Sequence, residues 1–138
     1  MALILVADDH RDTRELFAAT LRGAGHEVVL AADGGEALTL FRGNRPDLLI
    51  IDIFMPGKDG IDAMLEIRRD FPEAKIIAVS AGWRVPNFEL LNEPQSFDVL
   101  DHALTVGADY TMHKPIEVAQ LVSAVDEVLR APQRPRPR

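Results

Sequence analysis

The sequence predicts an α/β domain in which five parallel strands are flanked by five helices. Two observations support this. Short apolar runs of strand length alternate along the chain with segments whose apolar residues recur at helical spacing. Successive βα units require parallel strands, with helices on both faces of the sheet. The 138 residues are enough for about one such domain with a substantial core.

Five apolar runs are predicted as strands. They are residues 2–7, Glu27–Ala31, residues 48–51, residues 75–80 and Tyr110–His113. The third run, Leu-Leu-Ile-Ile, is the most apolar. We expect it at the centre of the sheet, because a parallel strand covered on both faces is apolar throughout.

Five helices are predicted from stripes of apolar residues between and after the strands. The stripes begin at Leu16, Ala37, Ile61, Phe97 and Val118. Gly25 is a stop signal for the first helix, and Pro115 is placed in the first turn of the last.

Two strand orders fit this count. The flavodoxin-like order 2-1-3-4-5 places the first and third strands side by side at the switch point of the sheet. A Rossmann-like order needs a glycine-rich first turn, and the first turn here is Asp8-Asp9-His10-Arg11. The flavodoxin-like order is therefore predicted.

Composition excludes several classes of function. The formal net charge of -7 argues against nucleic-acid binding by the domain. The absence of cysteine excludes disulfides, thiolate metal sites and cysteine nucleophiles. No apolar stretch approaches the roughly 20 residues that span a bilayer. The chain enters its first strand without a basic region or cleavage site, so we expect no secretory signal and a cytoplasmic protein.

Two regions depart from the βα rhythm. Residues 1–130 are predicted to form the domain, with an insertion at about 82–95 before the fourth helix. Its apolar side chains, which include Trp83 and Phe88, either cap the local core or form a partner or dimer surface. Residues 131–138 are rich in Pro and Arg and are predicted to be a disordered tail. A solvated terminus or cut linker explains that tail better than a nucleic-acid or membrane contact.

Three carboxylates are predicted to converge at one edge of the sheet. Asp8 and Asp9 follow the first strand, and Asp52 follows the third. Neighbouring carboxylates repel one another, so one binds a proton unless a cation neutralises the group. Mg2+ prefers oxygen ligands and is often held by one or two carboxylates with water, which favours a magnesium site. The alternative for the Asp8-Asp9 pair is a helix N-cap.

Further side chains would complete a site that accepts a phosphoryl group. Asp52 is the best nucleophile, because a carboxylate can attack phosphorus and form an acyl phosphate. Lys114 would place a compact positive charge on the phosphoryl oxygens. Ser80 could donate its hydroxyl, and the Phe54 carbonyl is a candidate neutral metal ligand. The alternative interpretation of each residue considered singly is a solvated lysine in a turn for Lys114 and a strand-end or helix-cap serine for Ser80.

These residues together resemble the receiver domain of two-component response regulators. The matching segments are the Asp8-Asp9 pair, Asp52 in Asp-Ile-Phe-Met-Pro-Gly-Lys-Asp-Gly, Ser80-Ala81, Gly107-Ala108 and Lys114-Pro115. No single motif is decisive, but the full set in this order is highly specific. The resemblance covers about residues 2–130.

The resemblance implies a role for each matching residue. It implies phosphorylation of Asp52, Mg2+ binding by Asp9, Asp52 and the Phe54 carbonyl with Asp8 acting through a water, and phosphoryl contacts from Ser80, Ala81 and Lys114. The phosphoryl group would come from a sensor histidine kinase or a histidine phosphotransfer protein. A shift of Ser80 would then reshape the face formed by the fourth helix, the fifth strand and the fifth helix. The Lys114–Pro115 bond is often cis in such domains.

Two positions distinguish this chain from the usual family pattern. The family has an aromatic residue three positions before its lysine, and that ring turns inward on activation. Thr111 stands there in this chain, and alternation along the strand sends Tyr110 to the opposite face unless a bulge intervenes. We therefore expect no ring switch. Phe54 is bulky beside the site, and we expect it to hinder a hydrolytic water.

The predicted function is that of a single-domain response regulator receiver, a switch or phosphorelay carrier with weak self-catalysed phosphorylation and dephosphorylation. It is not a turnover enzyme. Its expected partners are the phosphodonor protein and an unknown downstream protein, with no nucleic acid or membrane, as a monomer or weak dimer. Two alternatives remain: a degenerate receiver acting as a phosphorylation-independent interaction module, and a Mg2+-dependent small-molecule phosphatase. The latter lacks a second acid/base carboxylate just past Asp52.

Overall fold

The computed structural model describes residues 2–55, 60–80 and 107–132. The strands are β1 Leu3–Ala7, β2 Glu27–Ala31, β3 Leu48–Asp52, β4 Ile76–Ser80 and β5 Tyr110–His113. The helices in these residues are α1 Arg11–Gly23, α2 Gly34–Asn44, α3 Gly60–Asp70 and α4 Val118–Arg130. Helix α4 is the fifth helix of the prediction. The predicted fourth helix, the 82–95 insertion and residues 133–138 lie outside the described residues.

The five strands form one parallel sheet in the order β2-β1-β3-β4-β5, which confirms the flavodoxin-like prediction. The register pairs Ala7 with Ile51, Asp52 with Val79, and Ser80 with His113. The carboxyl ends of β1, β3, β4 and β5 therefore lie along one edge of the sheet.

Two apolar layers cover the sheet, one on each face. Helices α2 and α3 pack on one face, where Leu49 and Ile51 point, and α1 and α4 pack on the other, with Leu48 and Ile50. Every residue of β3 is buried, which confirms its predicted central place. Fully burying an aliphatic side chain of this size contributes about 1.5–3 kcal/mol, so β3 anchors the residue at its end, Asp52.

The start of α1 decides between two interpretations of the acidic pair. Its N-cap is His10, with extended backbone and no side-chain cap hydrogen bond. Asp8 and Asp9 therefore precede the cap, and the N-cap alternative is wrong. Gly25 follows the helix with φ +97°, the left-handed region that glycine tolerates, as its predicted stop role requires.

The prediction that Pro115 lies in the first turn of the last helix is wrong. Helix α4 begins at Val118, and its N-cap, Glu117, is still extended. The Lys114 N–H donates to the Ser80 carbonyl at 2.9 Å, so the chain remains tied to β4 at that point. Residues 115–117 are then needed to turn onto α4. The Lys114–Pro115 bond is cis.

A partly buried arginine joins the ends of several elements. The Arg68 guanidinium, near the end of α3, donates to the carbonyls of Pro72, Ala74 and Gly107 and to the Asp109 carboxylate. The Asp109 carboxylate also accepts the Ile76 N–H at 2.8 Å. This network fixes the starts of β4 and β5. Among the described helices, none is both long and apolar enough to cross a membrane.

Candidate functional site

Three strand ends bring Asp8, Asp52 and Lys114 into direct contact. The Lys114 Nζ lies 2.8 Å from Asp8 Oδ2 and 2.9 Å from Asp52 Oδ2. Both carboxylates are buried, with exposures of 2% for Asp8 and 5% for Asp52. One ammonium therefore joins the ends of β1, β3 and β5.

The Asp52 carboxylate is held at both oxygens. Its Oδ2 accepts from Lys114, and its Oδ1 accepts the Phe54 N–H at 2.9 Å. Gly60, the first residue of α3, packs directly behind the Asp52 backbone. A Cβ at Gly60 would overlap the Asp52 carbonyl oxygen and lie 2.5 Å from Ile53 Cα. Only glycine permits this close approach of α3 to the end of β3.

Asp8 is also fixed by its neighbours. Its Oδ1 accepts the His10 N–H at 2.9 Å, and its carbonyl accepts from the Arg14 guanidinium at 2.9 Å. The Asp8 N–H donates to the Ala31 carbonyl at 3.1 Å, which continues the β1–β2 pairing. The position of the carboxylate is thus set before any ligand arrives.

Asp9 differs, because one of its carboxylate oxygens has no partner. Its Oδ1 is buried and makes no hydrogen bond among the described residues. Leaving a buried acceptor unsatisfied costs about 1–3 kcal/mol. One ligand atom each from Asp8, Asp9, His10 and Asp52 lies within 4.8 Å of all the others. The site thus presents several carboxylate oxygens, one of them unsatisfied, to a common point.

This oxygen-rich cluster fits a hard divalent cation. Ligands on opposite sides of Mg2+ lie about 4.2 Å apart, since each bond is about 2.1 Å. The separations within 4.8 Å therefore need little adjustment. Three carboxylates against one ammonium also leave net negative charge for a cation to neutralise.

Burial and pairing shift the proton affinity of two groups in the cluster. Burial raises the pKa of Asp52 above its ordinary value, while Lys114 and the Phe54 N–H partly oppose that shift and the Asp8 charge adds to it. Burial alone would lower the pKa of Lys114, but its hydrogen bonds to Asp8 and Asp52 outweigh that effect and raise it. Lys114 is therefore held as a cation, and the cluster attracts positive charge.

The remaining predicted site residues lie beside this cluster or outside the described chain. Ser80 ends β4 fully buried, and its carbonyl accepts the Lys114 N–H at 2.9 Å. Phe54, directly after Asp52 and Ile53, is 38% exposed. Ala81 lies outside the described residues.

Three residues near the cluster were not predicted from the sequence. His10 lies next to the acidic pair, so its position alone could have indicated it. Gly60 ends a turn that the sequence shows, but the close approach to Asp52 is a tertiary contact. Arg14 reaches the Asp8 carbonyl one helical turn further on, and no local pattern distinguishes it from a surface arginine.

The pairing of β5 shows which face of the sheet Tyr110 and Thr111 occupy. β5 pairs with β4 without a bulge, through Ile77–Tyr110 to Ser80–His113. Tyr110 packs with Met112 against the α1 and α4 layer, so Thr111 faces the opposite side of the sheet. The predicted alternation is confirmed, and Tyr110 does not take the position of the family's ring.

Comparison with known proteins agrees with this geometry. Residues 4–126 match the family described as the response regulator receiver domain. The probable transcriptional regulator ycf27 of Cyanophora paradoxa is 33% identical over 134 residues, which cover 96% of this chain and 50% of the relative. The DNA-binding response regulator MtrA of Mycolicibacterium smegmatis is 35% identical over 127 residues, 92% of this chain and 50% of that protein.

This chain therefore spans about half the length of these curated relatives. Among solved structures, the receiver domain of NtrX from Brucella abortus superposes with a TM-score of 0.81 at 27% identity, over 94% of this chain and 99% of that one. The sequence match, the strand order and the convergence of Asp8, Asp52 and Lys114 lead to the same conclusion. The chain belongs to the family of response regulator receiver domains, the signal-receiving modules of two-component systems.

Proposed function

We propose that this receiver accepts a phosphoryl group on Asp52 from the phosphohistidine of a sensor histidine kinase or histidine phosphotransfer protein, in a Mg2+-dependent reaction. The observation that carries the proposal is the position of Lys114 Nζ, 2.8 and 2.9 Å from the buried carboxylates of Asp8 and Asp52. The Lys114 ammonium already pairs with the acceptor carboxylate, and Asp9 keeps an unsatisfied oxygen in the same cluster.

Asp9, Asp52 and the Phe54 carbonyl would hold Mg2+, with Asp8 acting through a water. The bound ion supplies charge neutralisation between the Asp52 carboxylate and the phosphoryl oxygens. The Asp8 and Asp52 carboxylates are fixed by hydrogen bonds before the ion binds. The entropy of ordering these two carboxylates is therefore lost when the chain folds and not when the ion binds.

In the transfer, a carboxylate oxygen of Asp52 forms a bond to phosphorus. The phosphorus–nitrogen bond of the donor histidine breaks, and its electron pair stays on the imidazole, which is then protonated from solvent. Lys114 moves its charge from the carboxylates to the phosphoryl oxygens, with Ser80 and the Ala81 backbone as further donors. Slow hydrolysis at Asp52 would reset the site. The protein acts as a switch and not as a turnover enzyme.

The signal would leave through the face of the predicted fourth helix, β5 and α4. Ser80 supports this proposal, because it ends β4 fully buried and is joined through its carbonyl to Lys114 after β5. A local change at Asp52 thus has a short path to β5. The downstream partner is proposed to be a protein in the cytoplasm, without nucleic-acid or membrane contacts by the receiver, which would act as a monomer or weak dimer.

The test is intact-mass measurement after incubation with a small phosphodonor and Mg2+. We expect one phosphoryl adduct on the wild type and none on Asp52→Asn or in the presence of a chelator. Asp12→Asn, an exposed carboxylate in the first turn of α1, is the matched control and should be phosphorylated like the wild type. An unmodified wild type under every condition would contradict the proposal and favour a phosphorylation-independent interaction module.

A further inference from the structure

His10 lies against the acidic cluster in a way that the general receiver chemistry does not use. Its Nδ1 is 3.2 Å from Asp9 Oδ1 and 3.5 Å from Asp8 Oδ1. Adjacent ligands of an octahedral ion with bonds of about 2.1 Å lie about 3.0 Å apart. The imidazole nitrogen and the carboxylate oxygens thus have nearly the separations of neighbouring ligands around one ion.

The backbone holds His10 in this place. Its N–H donates to Asp8 Oδ1 at 2.9 Å, and as the N-cap of α1 it has extended φ and ψ of -90° and 119°. The side chain is 70% exposed, so an ion can reach the ring from solvent.

A second observation favours a cation at this position. Asp9 Oδ1 is buried without a hydrogen-bond partner, although the His10 ring lies 3.2 Å from it. The ring therefore approaches the oxygen without satisfying it. A cation between the two would satisfy the oxygen and use the ring nitrogen at once.

We propose that His10 adds an imidazole nitrogen to the cation site of Asp9 and Asp52, so that this receiver prefers a borderline transition-metal ion such as Co2+ or Ni2+ over Mg2+. Imidazole suits such ions, whereas Mg2+ takes carboxylate, carbonyl and water oxygens. The inference rests on the proposed function, because it needs the same carboxylates to hold a cation.

The test is direct titration calorimetry of Co2+ and of Mg2+ binding to the full chain. His10→Ala should weaken Co2+ binding about tenfold or more and leave Mg2+ binding unchanged. His113→Ala is the matched control, since His113 is an exposed histidine on the same edge of the sheet, outside the cluster. It should change neither affinity.

Three outcomes would overturn the inference: Co2+ binding that is unchanged in His10→Ala, a change of equal size for both ions, or a loss of the same size in His113→Ala. A spectroscopic arm gives a separate readout. The visible d–d absorption of the Co2+-loaded wild type should differ from that of Co2+-loaded His10→Ala, because the variant replaces an imidazole nitrogen ligand by a water oxygen. Identical Co2+ spectra of the two proteins would count against the inference.

Failure of the proposed function would be recognised separately. If the wild type forms no phosphoryl adduct with Mg2+ or Co2+, the phosphoryl-acceptor proposal fails, while the comparison of wild type with His10→Ala still decides the role of His10. If adducts form with both ions and the Co2+ affinity does not depend on His10, only the inference about His10 fails.

Discussion

The Lys114 ammonium lies 2.9 Å from Asp52 Oδ2 and 2.8 Å from Asp8 Oδ2, so that one cation joins two buried carboxylates from different strands. This arrangement satisfies charges that would otherwise be costly inside the protein. It also keeps a positive charge next to the acceptor oxygen. The same contact thus stabilises the resting state and prepares the site for an anion.

Replacing Lys114 should separate metal binding from phosphoryl acceptance. In Lys114→Ala the cluster loses its positive charge, so Mg2+ should bind at least as tightly as in the wild type, while the yield of phosphoryl adduct should fall clearly. Calorimetry and intact mass give the two readouts. Lys75→Ala, at the opposite end of the sheet, is the control. Equal adduct yields in wild type and Lys114→Ala would contradict the assigned role.

Asp52 should cost the protein stability when no metal is bound. Its pKa is raised chiefly by burial, so the ionised carboxylate is less favourable in the folded chain than in the unfolded chain. Asp52→Asn should therefore raise the Tm at neutral pH in a chelating buffer. Asp12→Asn, which removes an exposed charge, should not. A lower Tm for Asp52→Asn would show that the ion pair with Lys114 outweighs the burial of Asp52.

The higher Tm expected for Asp52→Asn should depend on pH, because the pKa of Asp52 is raised in the folded chain. Because the folded-state pKa lies above the unfolded value, the destabilisation by Asp52 is fully present above the folded pKa. It disappears as the pH falls below the ordinary carboxyl value. The Tm difference between Asp52→Asn and wild type should shrink with acidification, and growth of the difference toward low pH would contradict this account.

Mg2+ should reverse the order of stabilities at neutral pH. A ligand present at 100 times its Kd stabilises the folded state by about 2.7 kcal/mol. The wild type should gain this amount at saturating Mg2+, and Asp52→Asn should gain less because it has lost a ligand. Thermal melts across a Mg2+ series make the measurement. Identical Mg2+ responses of the two proteins would show that Asp52 does not hold the ion.

Gly60 should be required for the position of Asp52. A Cβ there would come 2.5 Å from Ile53 Cα, and overpacking of this kind typically costs about 1–3 kcal/mol. We expect Gly60→Ala to lower both the Tm and the adduct yield. Gly43→Ala, on the exposed side of α2 with no atom near its Cβ, should raise stability by up to about 1 kcal/mol. A Gly60→Ala variant with the Tm and adduct yield of the wild type would contradict this role of Gly60.

Phe54 should prolong the life of the phosphorylated state. The residue is 38% exposed, two positions beyond Asp52, and we expect a bulky group there to restrict the approach of water. Phe54→Ala should therefore lose its phosphoryl group faster than the wild type, as followed by the decay of the mass adduct. Leu65→Ala, an exposed apolar residue on α3, is the control. Equal lifetimes of wild type and Phe54→Ala would remove the idea.

Sequence pattern alone predicts the strand order and the meeting of Asp8, Asp52 and Lys114, because parallel strands end at a common edge. The face taken by Tyr110 also follows, since side chains alternate along β5. The start of α4 does not follow. It depends on the backbone hydrogen bond from Lys114 to Ser80, which holds the chain to the sheet past Pro115.

The details that distinguish this site from a generic acidic edge are tertiary. The partnerless oxygen of Asp9, the approach of the His10 ring and the packing of Gly60 behind Asp52 depend on side-chain and backbone placement that no local periodicity encodes. Residue type indicated the chemistry of the site, and only the fold supplied its distances.

Chemical trapping of the acyl phosphate identifies which carboxylate carries the phosphoryl group. Borohydride reduces an aspartyl phosphate to homoserine, so peptide mass mapping after reaction with donor and Mg2+ identifies the modified residue. We expect homoserine at position 52, dependent on Mg2+, with Asp8 and Asp9 unmodified. Homoserine at position 8 or 9, or none at position 52, would contradict it.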